Sequence, residues 1–201
     1  MKLYYVPMTR ATRPRWLLEE MGVPHELVRL DPKKGETRAP EHLKRHPLGH
    51  VPVLEDGNLM MFESAAICLY LADKFPEKKL IPPVGSRERA LCYQWVLYAM
   101  TELEPPVSKI AAERRKEEGK RDAAVISAAQ ADFNKAAGTV DEALGKSLYL
   151  LGEQFSVTDV IAASCLARGR RLGVLDAGLS RVNAYVDRLM DRPAAKKATG
   201  D

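Results

Sequence analysis

The stretch Arg45-His46-Pro47-Leu48-Gly49-His50-Val51-Pro52-Val53-Leu54, answered nine residues later by Glu63-Ser64, decides how the chain is read. Pro52 sits inside an apolar run that ends at the turn signal Asp56-Gly57. A proline cannot donate to a sheet ladder, so the run belongs at a sheet edge or in a turn. With a cis Val51-Pro52 bond, the N–H and C=O of Val51 face outward, ready to pair with an extended peptide ligand. Ser64 opens an apolar helix, so its hydroxyl and the first helical N–H groups form an anion site. A peptide carrying a carboxylate at one end fits both features. A plain edge hairpin leading into a core helix accounts for the same residues without a ligand.

Strand and helix signals alternate on either side of this stretch. Leu3-Tyr4-Tyr5-Val6 is a β-rich run stopped by Pro7. Pro14, Leu17, Leu18 and Met21 take the i, i+3, i+4, i+7 spacing of one helix face, with Pro14 in the first turn and Gly22 just beyond the end. Leu27-Val28-Arg29-Leu30 predicts a second strand, parallel to the first because a helical crossover joins them. A short helix is expected around residues 40–44. Strands at 51–54 and 59–62 flank Glu55-Asp56-Gly57-Asn58, the strongest hairpin signal in the chain. A helix then runs from Ser64 to about Phe75. Residues 1–76 thus predict a βαβ-α-ββα domain of thioredoxin-like order.

Residues 77–85, with Pro82-Pro83, have linker composition and lead to Ser86 as an N-cap. Residues 86–201 predict an all-α helical bundle, which makes the fold class α+β. Leu91, Trp95 and Tyr98 mark one helix face, and Pro105-Pro106 is expected to kink or break that helix before it resumes to about Lys116. Ile126, Ala129, Phe133, Ala136, Val140 and Leu144 form an Ala-rich stripe suited to close packing. Ser156-Val157-Thr158-Asp159 has the form of a capping box. Val182, Tyr185, Val186 and Leu189 lie on a last helix that Arg192-Pro193 stops, with a frayed polar tail from Ala194.

With 46% apolar residues in 201, the chain can bury a core without disulfides. Its 31 basic and 27 acidic residues leave a net +4, too little to argue for nucleic acid. The charged run from Glu113 to Asp122 mixes signs and suits a solvated helix end. Three widely spaced cysteines, Cys68, Cys92 and Cys165, give neither a disulfide framework nor a zinc spacing, so no metal is expected. They fit small buried hydrophobes in a reducing compartment. No signal-peptide core and no run near the roughly 18 apolar residues of a membrane span occurs, which makes the cytoplasm the expected location.

On these residues the chain resembles the soluble glutathione transferase family, theta-like or bacterial in type, over nearly its whole length. His46-Pro47-Leu48-Gly49-His50-Val51-Pro52 followed by Glu63-Ser64-Ala65-Ala66-Ile67 is similar to the family's Asn-Pro-x-Gly-x-Val-Pro and Glu-Ser-x-Ala-Ile signatures. The resemblance implies that Pro52 is the cis proline, that Val51 pairs with the cysteinyl part of glutathione, and that Ser64 and Glu63 hold the carboxylate and ammonium of the γ-glutamyl end. The resemblance also puts His50, at the position before Val-Pro, within reach of the glycyl carboxylate. His46 stands where relatives carry Asn, and is a capping or packing residue or a ligand contact. Glutathione enters as a cosubstrate, not a cofactor, and is joined to a hydrophobic electrophile. A homodimer is implied, through the helix after Glu63 and the helix around Leu91.

The chemistry needs a donor at the glutathione sulfur, because a free thiol titrates near 8.5 and only a hydrogen bond to the anion enriches the thiolate at neutral pH. The loop Met8-Thr9-Arg10-Ala11-Thr12-Arg13 is where relatives place that donor, and Met-Thr-Arg-Ala-Thr-Arg is similar in spacing to the Met-Ser-x-x-Ser-Arg of theta-like members. Thr9 is the first candidate, with a loop cap as its alternative role. Arg10 stands where some bacterial relatives carry a catalytic cysteine, and either offers positive charge or lies on the surface. Tyr5, on the strand, faces the core or the site depending on register, with core packing favoured, while Thr12 fits a helix start and Arg13 support for the loop. The acceptor site is expected between this loop and the first long helix of the second domain, near Tyr98, Met100, Thr101 and Glu102. Glutathione-dependent peroxidation, dehalogenation or isomerisation on the same fold, and a non-catalytic binding protein, stand as alternatives.

Overall fold

A computed structural model describes residues 1–145 and 147–200. They divide into two compact units, residues 1–80 with 191–200, and Ile81–Met190.

The first unit is built on a four-stranded sheet of order β2-β1-β3-β4, comprising β1 (Lys2–Tyr5), β2 (Glu26–Arg29), β3 (Val53–Asp56) and β4 (Leu59–Phe62). β1 and β2 are parallel, as the helical crossover requires, and the hairpin β3-β4 is antiparallel. The crossover is α1 (Thr12–Met21). It buries Trp16, Leu17, Leu18 and Met21, and each such side chain removed from water contributes about 1.5–3 kcal/mol. Gly22 ends it with φ 62°, its N–H reaching the carbonyls of Leu18 and Glu19. α2 (Pro40–Arg45) leads into the hairpin, and α3 (Ser64–Lys74) follows it with Ile67, Cys68 and Leu71 fully buried. The thioredoxin-like order expected for this half is the order found.

The domain boundary needs a correction. Residues 86–201 do not all belong to the helical bundle, because 191–200 pack with the first unit. The expected frayed tail is a helix, α9 (Pro193–Thr199), with Ala195 and Ala198 buried. Pro193 starts it at a position where a missing N–H costs nothing. Arg192 grips Glu20 of α1 with Nε at 2.6 Å and Nη2 at 2.8 Å, a bidentate pair, and Lys197 reaches Glu19 at 2.6 Å.

The second unit contains α4 (Arg87–Tyr98), α5 (Glu104–Arg114), α6 (Ala123–Leu144), α7 (Val157–Arg171) and α8 (Ser180–Met190). Ser86 caps α4 by accepting from the Arg89 N–H at 3.1 Å. Pro105-Pro106 does not break the helix. A π turn over Ala99–Leu103 joins α4 to α5, and both prolines fall in the first turn of α5. The wider turn moves the preceding carbonyls away from the proline rings. On α6, Ala129, Phe133, Ala136, Val140 and Leu144 are buried as the stripe predicts. Phe133 packs on Gly169 of α7, where an added Cβ would lie 2.2 Å from Phe133 Cζ.

The expected capping box is present and forms the centre of a buried network. Asp159 Oδ2 accepts from the Ser156 N–H (2.8 Å) and hydroxyl (3.0 Å), while Oδ1 accepts from the Leu150 N–H (3.0 Å) and the Tyr185 hydroxyl (2.8 Å). Burial pushes the Asp159 carboxyl up from its ordinary value, and these four donors draw it back. α7 and α8, and the segment before α7, are thereby tied to one side chain. No helix among the described residues is long and apolar enough to cross a membrane.

Candidate functional site

Strand register brings the signature residues of the first unit together. Val53 pairs with Phe62, so Val51-Pro52 and Glu63-Ser64 leave the sheet side by side. Tyr4 pairs with Val53, so Val6 leaves β1 beside Val51. The Val51-Pro52 bond is cis. Pro52 is buried, Val51 half-buried and His50 exposed. Among the described residues, none pairs with the Val51 backbone.

The turn from α2 into β3 is held at every step. Gly49 N–H donates to the His46 carbonyl at 2.8 Å, Arg38 Nη1 to the Leu48 carbonyl at 2.8 Å, and the Leu48 N–H to His46 Nδ1 at 3.2 Å. Gly49 has φ 61°, and a Cβ there would meet the Thr37 carbonyl oxygen at 2.4 Å. His42 is fully enclosed, and its Nε2 lies 2.8 Å from the His50 carbonyl oxygen. His46 is thus a turn-holding residue. Burial, then the neighbouring His50 and His42, lowers its pKa, and in the neutral ring Nδ1 must be the acceptor, which leaves the proton on Nε2.

Glu63 links β4 to α3 with φ 73° and ψ 107°, a conformation rare outside glycine, and its side chain is exposed. Ser64 follows as the first residue of α3 and is buried. The first helical bond runs from the Ile67 N–H to the Glu63 carbonyl, so the N–H groups of Ser64, Ala65 and Ala66 have no partner within the helix. No acidic side chain lies in that first turn, and Glu63 at the cap position makes no side-chain capping bond to it. Arg13, also buried, donates from Nη1 to Ser64 Oγ at 3.0 Å. Ser64 Oγ accepts that bond, so its own proton remains for an incoming oxygen.

The loop after β1 lies next to Val51. Thr9 is half-buried, and its hydroxyl donates to the Val6 carbonyl at 2.7 Å while accepting from the Ala11 N–H at 3.3 Å. Thr9 therefore closes the loop as found. The Arg10 side chain is exposed. Tyr5 is buried with the Arg15 guanidinium 5.1 Å above its ring, a core position, and Thr12 starts α1. A cavity of about 510 Å³ opens beside this loop in the same unit, lined by Val6, Pro7, Leu30, Asp31, Lys33 and Glu36 among others. In the helical unit, Tyr98, Thr101 and Glu102 line a groove of about 450 Å³ with Pro105, Lys109 and Lys135. Tyr98 also donates its hydroxyl to the Ala136 carbonyl at 3.1 Å.

All three cysteines are buried free thiols, and burial pushes Cys68 up to about 12, so it is no nucleophile at neutral pH. Among the described residues, no cluster of histidine, cysteine and acidic side chains has the makings of a metal site. Arg13 and His42 carry contacts that the sequence did not assign to them. Their partners lie 51 and 8 residues away and outside the helix that carries each of them, so no periodicity within one element links them.

Comparison with known proteins agrees with this architecture. Residues 1–73 match the family model "Glutathione S-transferase, N-terminal domain" and residues 123–188 match "Glutathione S-transferase, C-terminal domain". The probable glutathione S-transferase GSTF2 of Oryza sativa subsp. japonica is 34% identical over 98% of this chain and 94% of its own. Glutathione S-transferase GstA of Escherichia coli O157:H7 is 29% identical over 98% and 96%. The solved structure of BphK, a bacterial GST in a ternary complex, superposes with a TM-score of 0.88 at 29% identity, covering 100% of this chain and 98% of its own. Two family models in the right order, a full-length relative above 30% identity and a matching fold establish that the chain belongs to the glutathione transferase family.

Proposed function

We infer that this chain joins the sulfur of glutathione to an electrophilic small molecule: the thiolate attacks carbon, a C–S bond forms, and the leaving group departs with its electron pair. The observation that carries the assignment of the binding site is the unpaired Val51 backbone beside the N-terminus of α3, where Ser64 keeps its proton. In this proposal Val51 pairs with the cysteinyl residue, Pro52 fixes the edge, Ser64 and the α3 N–H groups take the γ-glutamyl carboxylate, and Glu63 takes the ammonium. His50, exposed at the end of the turn, serves the glycyl carboxylate. Glutathione is then expected to raise the melting temperature, as any ligand of the native state does. Ser64→Ala is expected to weaken glutathione about tenfold, the worth of one hydrogen bond to a charged group. Equal affinity of wild type and variant by calorimetric titration would remove the carboxylate site.

Thr9 is proposed as the donor to sulfur, with the positive charge of Arg10 nearby. The hydroxyl leaves the Val6 carbonyl for the thiolate, exchanging a neutral bond for a charge-assisted one. Thr9→Ala should raise the apparent pKa of bound glutathione by about one unit, the effect of roughly 1.4 kcal/mol of lost preference for the anion, as followed by thiolate absorbance in the ultraviolet. An unchanged titration would eliminate Thr9 as activator. The electrophile is proposed to be apolar, and the chain to act as a homodimer. The exposed apolar side chains Leu59, Met60 and Phe62 on β4 and Tyr93 and Leu97 on α4 support the latter.

A further inference from the structure

We propose that His42 is a positioning residue for glutathione: from inside α2 it holds the His50 carbonyl and so turns the Val51 N–H toward the ligand. This rests on the assignment of Val51 as the cysteinyl-pairing edge.

The argument begins with the peptide unit shared by His50 and Val51. That bond is trans, and in a trans peptide the C=O and the following N–H point in opposite directions. His42 Nε2 lies 2.8 Å from the His50 oxygen, and a carbonyl only accepts, so Nε2 carries the proton. The carbonyl is therefore drawn toward the buried side of α2, and the Val51 N–H faces away from it. An amide whose direction is fixed before the ligand arrives loses less freedom on binding than one that must rotate.

The surroundings of His42 fit a retained hydrogen bond better than a packing choice. The side chain is 1% exposed, and its other ring nitrogen, Nδ1, is buried with no hydrogen-bond partner. An apolar residue would fill the same space without enclosing an unsatisfied nitrogen. The adjoining turn is tied separately, through Arg38 to Leu48 and through His46 to Leu48 and Gly49. The bond from His42 is the one that acts on the peptide bearing the Val51 amide.

The test uses the full-length protein with reduced glutathione as probe, and the variants His42→Gln, His42→Asn and His42→Leu. The amide nitrogen of glutamine reaches about as far as imidazole Nε2, whereas that of asparagine falls short. His42→Gln is expected to stay within about twofold of wild type in glutathione affinity, and His42→Asn and His42→Leu to lose about five- to tenfold, the range of one neutral hydrogen bond. In turnover the loss should fall on the KM for glutathione, with kcat held at saturation. The Val51 amide resonance, which glutathione should shift in wild type and in His42→Gln, should move less in His42→Asn. Equal affinity across the variants, or a loss in His42→Gln as large as in His42→Asn, overturns the inference. Failure of the wild-type protein to bind glutathione overturns the Val51 assignment beneath it as well. The Gln and Asn pair preserves the comparison if His42→Leu does not fold.

Discussion

Gly49→Ala is expected to lower glutathione affinity by about tenfold or more, the worth of at least one hydrogen bond lost when the binding edge is displaced, with the helical unit left folded. Two penalties meet at this position. The backbone sits at φ 61°, where any L-residue with a Cβ is strained by about 1–2 kcal/mol. The Cβ would also lie 2.4 Å from the Thr37 carbonyl oxygen and 3.2 Å from the Cδ and Nη1 of Arg38. A backbone oxygen cannot swing aside as a side-chain tip can. The turn has to move, and with it the Leu48 carbonyl that Arg38 holds and the His50 carbonyl that His42 holds. Gly57→Ala supplies the control. Its φ of 59° imposes the same strain, but nothing lies within 4 Å of the added Cβ. Titration with glutathione should show a large loss in the first variant and almost none in the second. Similar losses in both would mean that backbone strain, not the clash with Thr37, governs the edge.

Asp159→Ala is expected to destabilise the helical unit by about 3 kcal/mol or more, because it leaves buried donors without partners at about 1–3 kcal/mol each. The donors are the Leu150 N–H, the Ser156 N–H and hydroxyl, and the Tyr185 hydroxyl. Asp159→Asn should recover only part of this. Its amide oxygen can take over the role of Oδ1, but its NH₂ group would face the Ser156 N–H donor to donor. Calorimetric melting should rank wild type above Asn and Asn above Ala. A drop of a few degrees or less for Ala would show that the network contributes little beyond the box itself.

The sequence carried the elements whose rules are local. Pro52 and Ser64 announce a sheet edge and a helix start because proline and helix-start chemistry act within a few residues, and the Ser156–Asp159 box is legible from its spacing alone. The π turn over Ala99–Leu103 was not legible, since Pro105-Pro106 signals trouble for a helix without saying whether it breaks or widens. The helix Pro193–Thr199 was hidden by its lysines and by the small size of Ala195 and Ala198, although Pro193 after Arg192 is a helix-start pattern. The sequence leaves two roles open for both His46 and Thr9. For both, a hydrogen bond to backbone within three residues decided the local role, and the backbone geometry that makes it was not in the sequence. Arg13 and His42 depend on partners that only tertiary structure supplies.

The return of α9 to α1 sets an order of events during synthesis. Residues 1–80 leave the ribosome long before residues 191–200, with the whole helical unit between them. Until Arg192 arrives, Glu20 lacks its bidentate partner and the surface that Ala195 and Ala198 cover stays wet. The nascent thioredoxin-like unit stays incompletely closed while the segment that forms the helical unit is being made. The contact with α9 forms only once residues 191–200 have emerged, so truncation within α8 would spare the sheet and both signature motifs yet release a unit with an exposed flank.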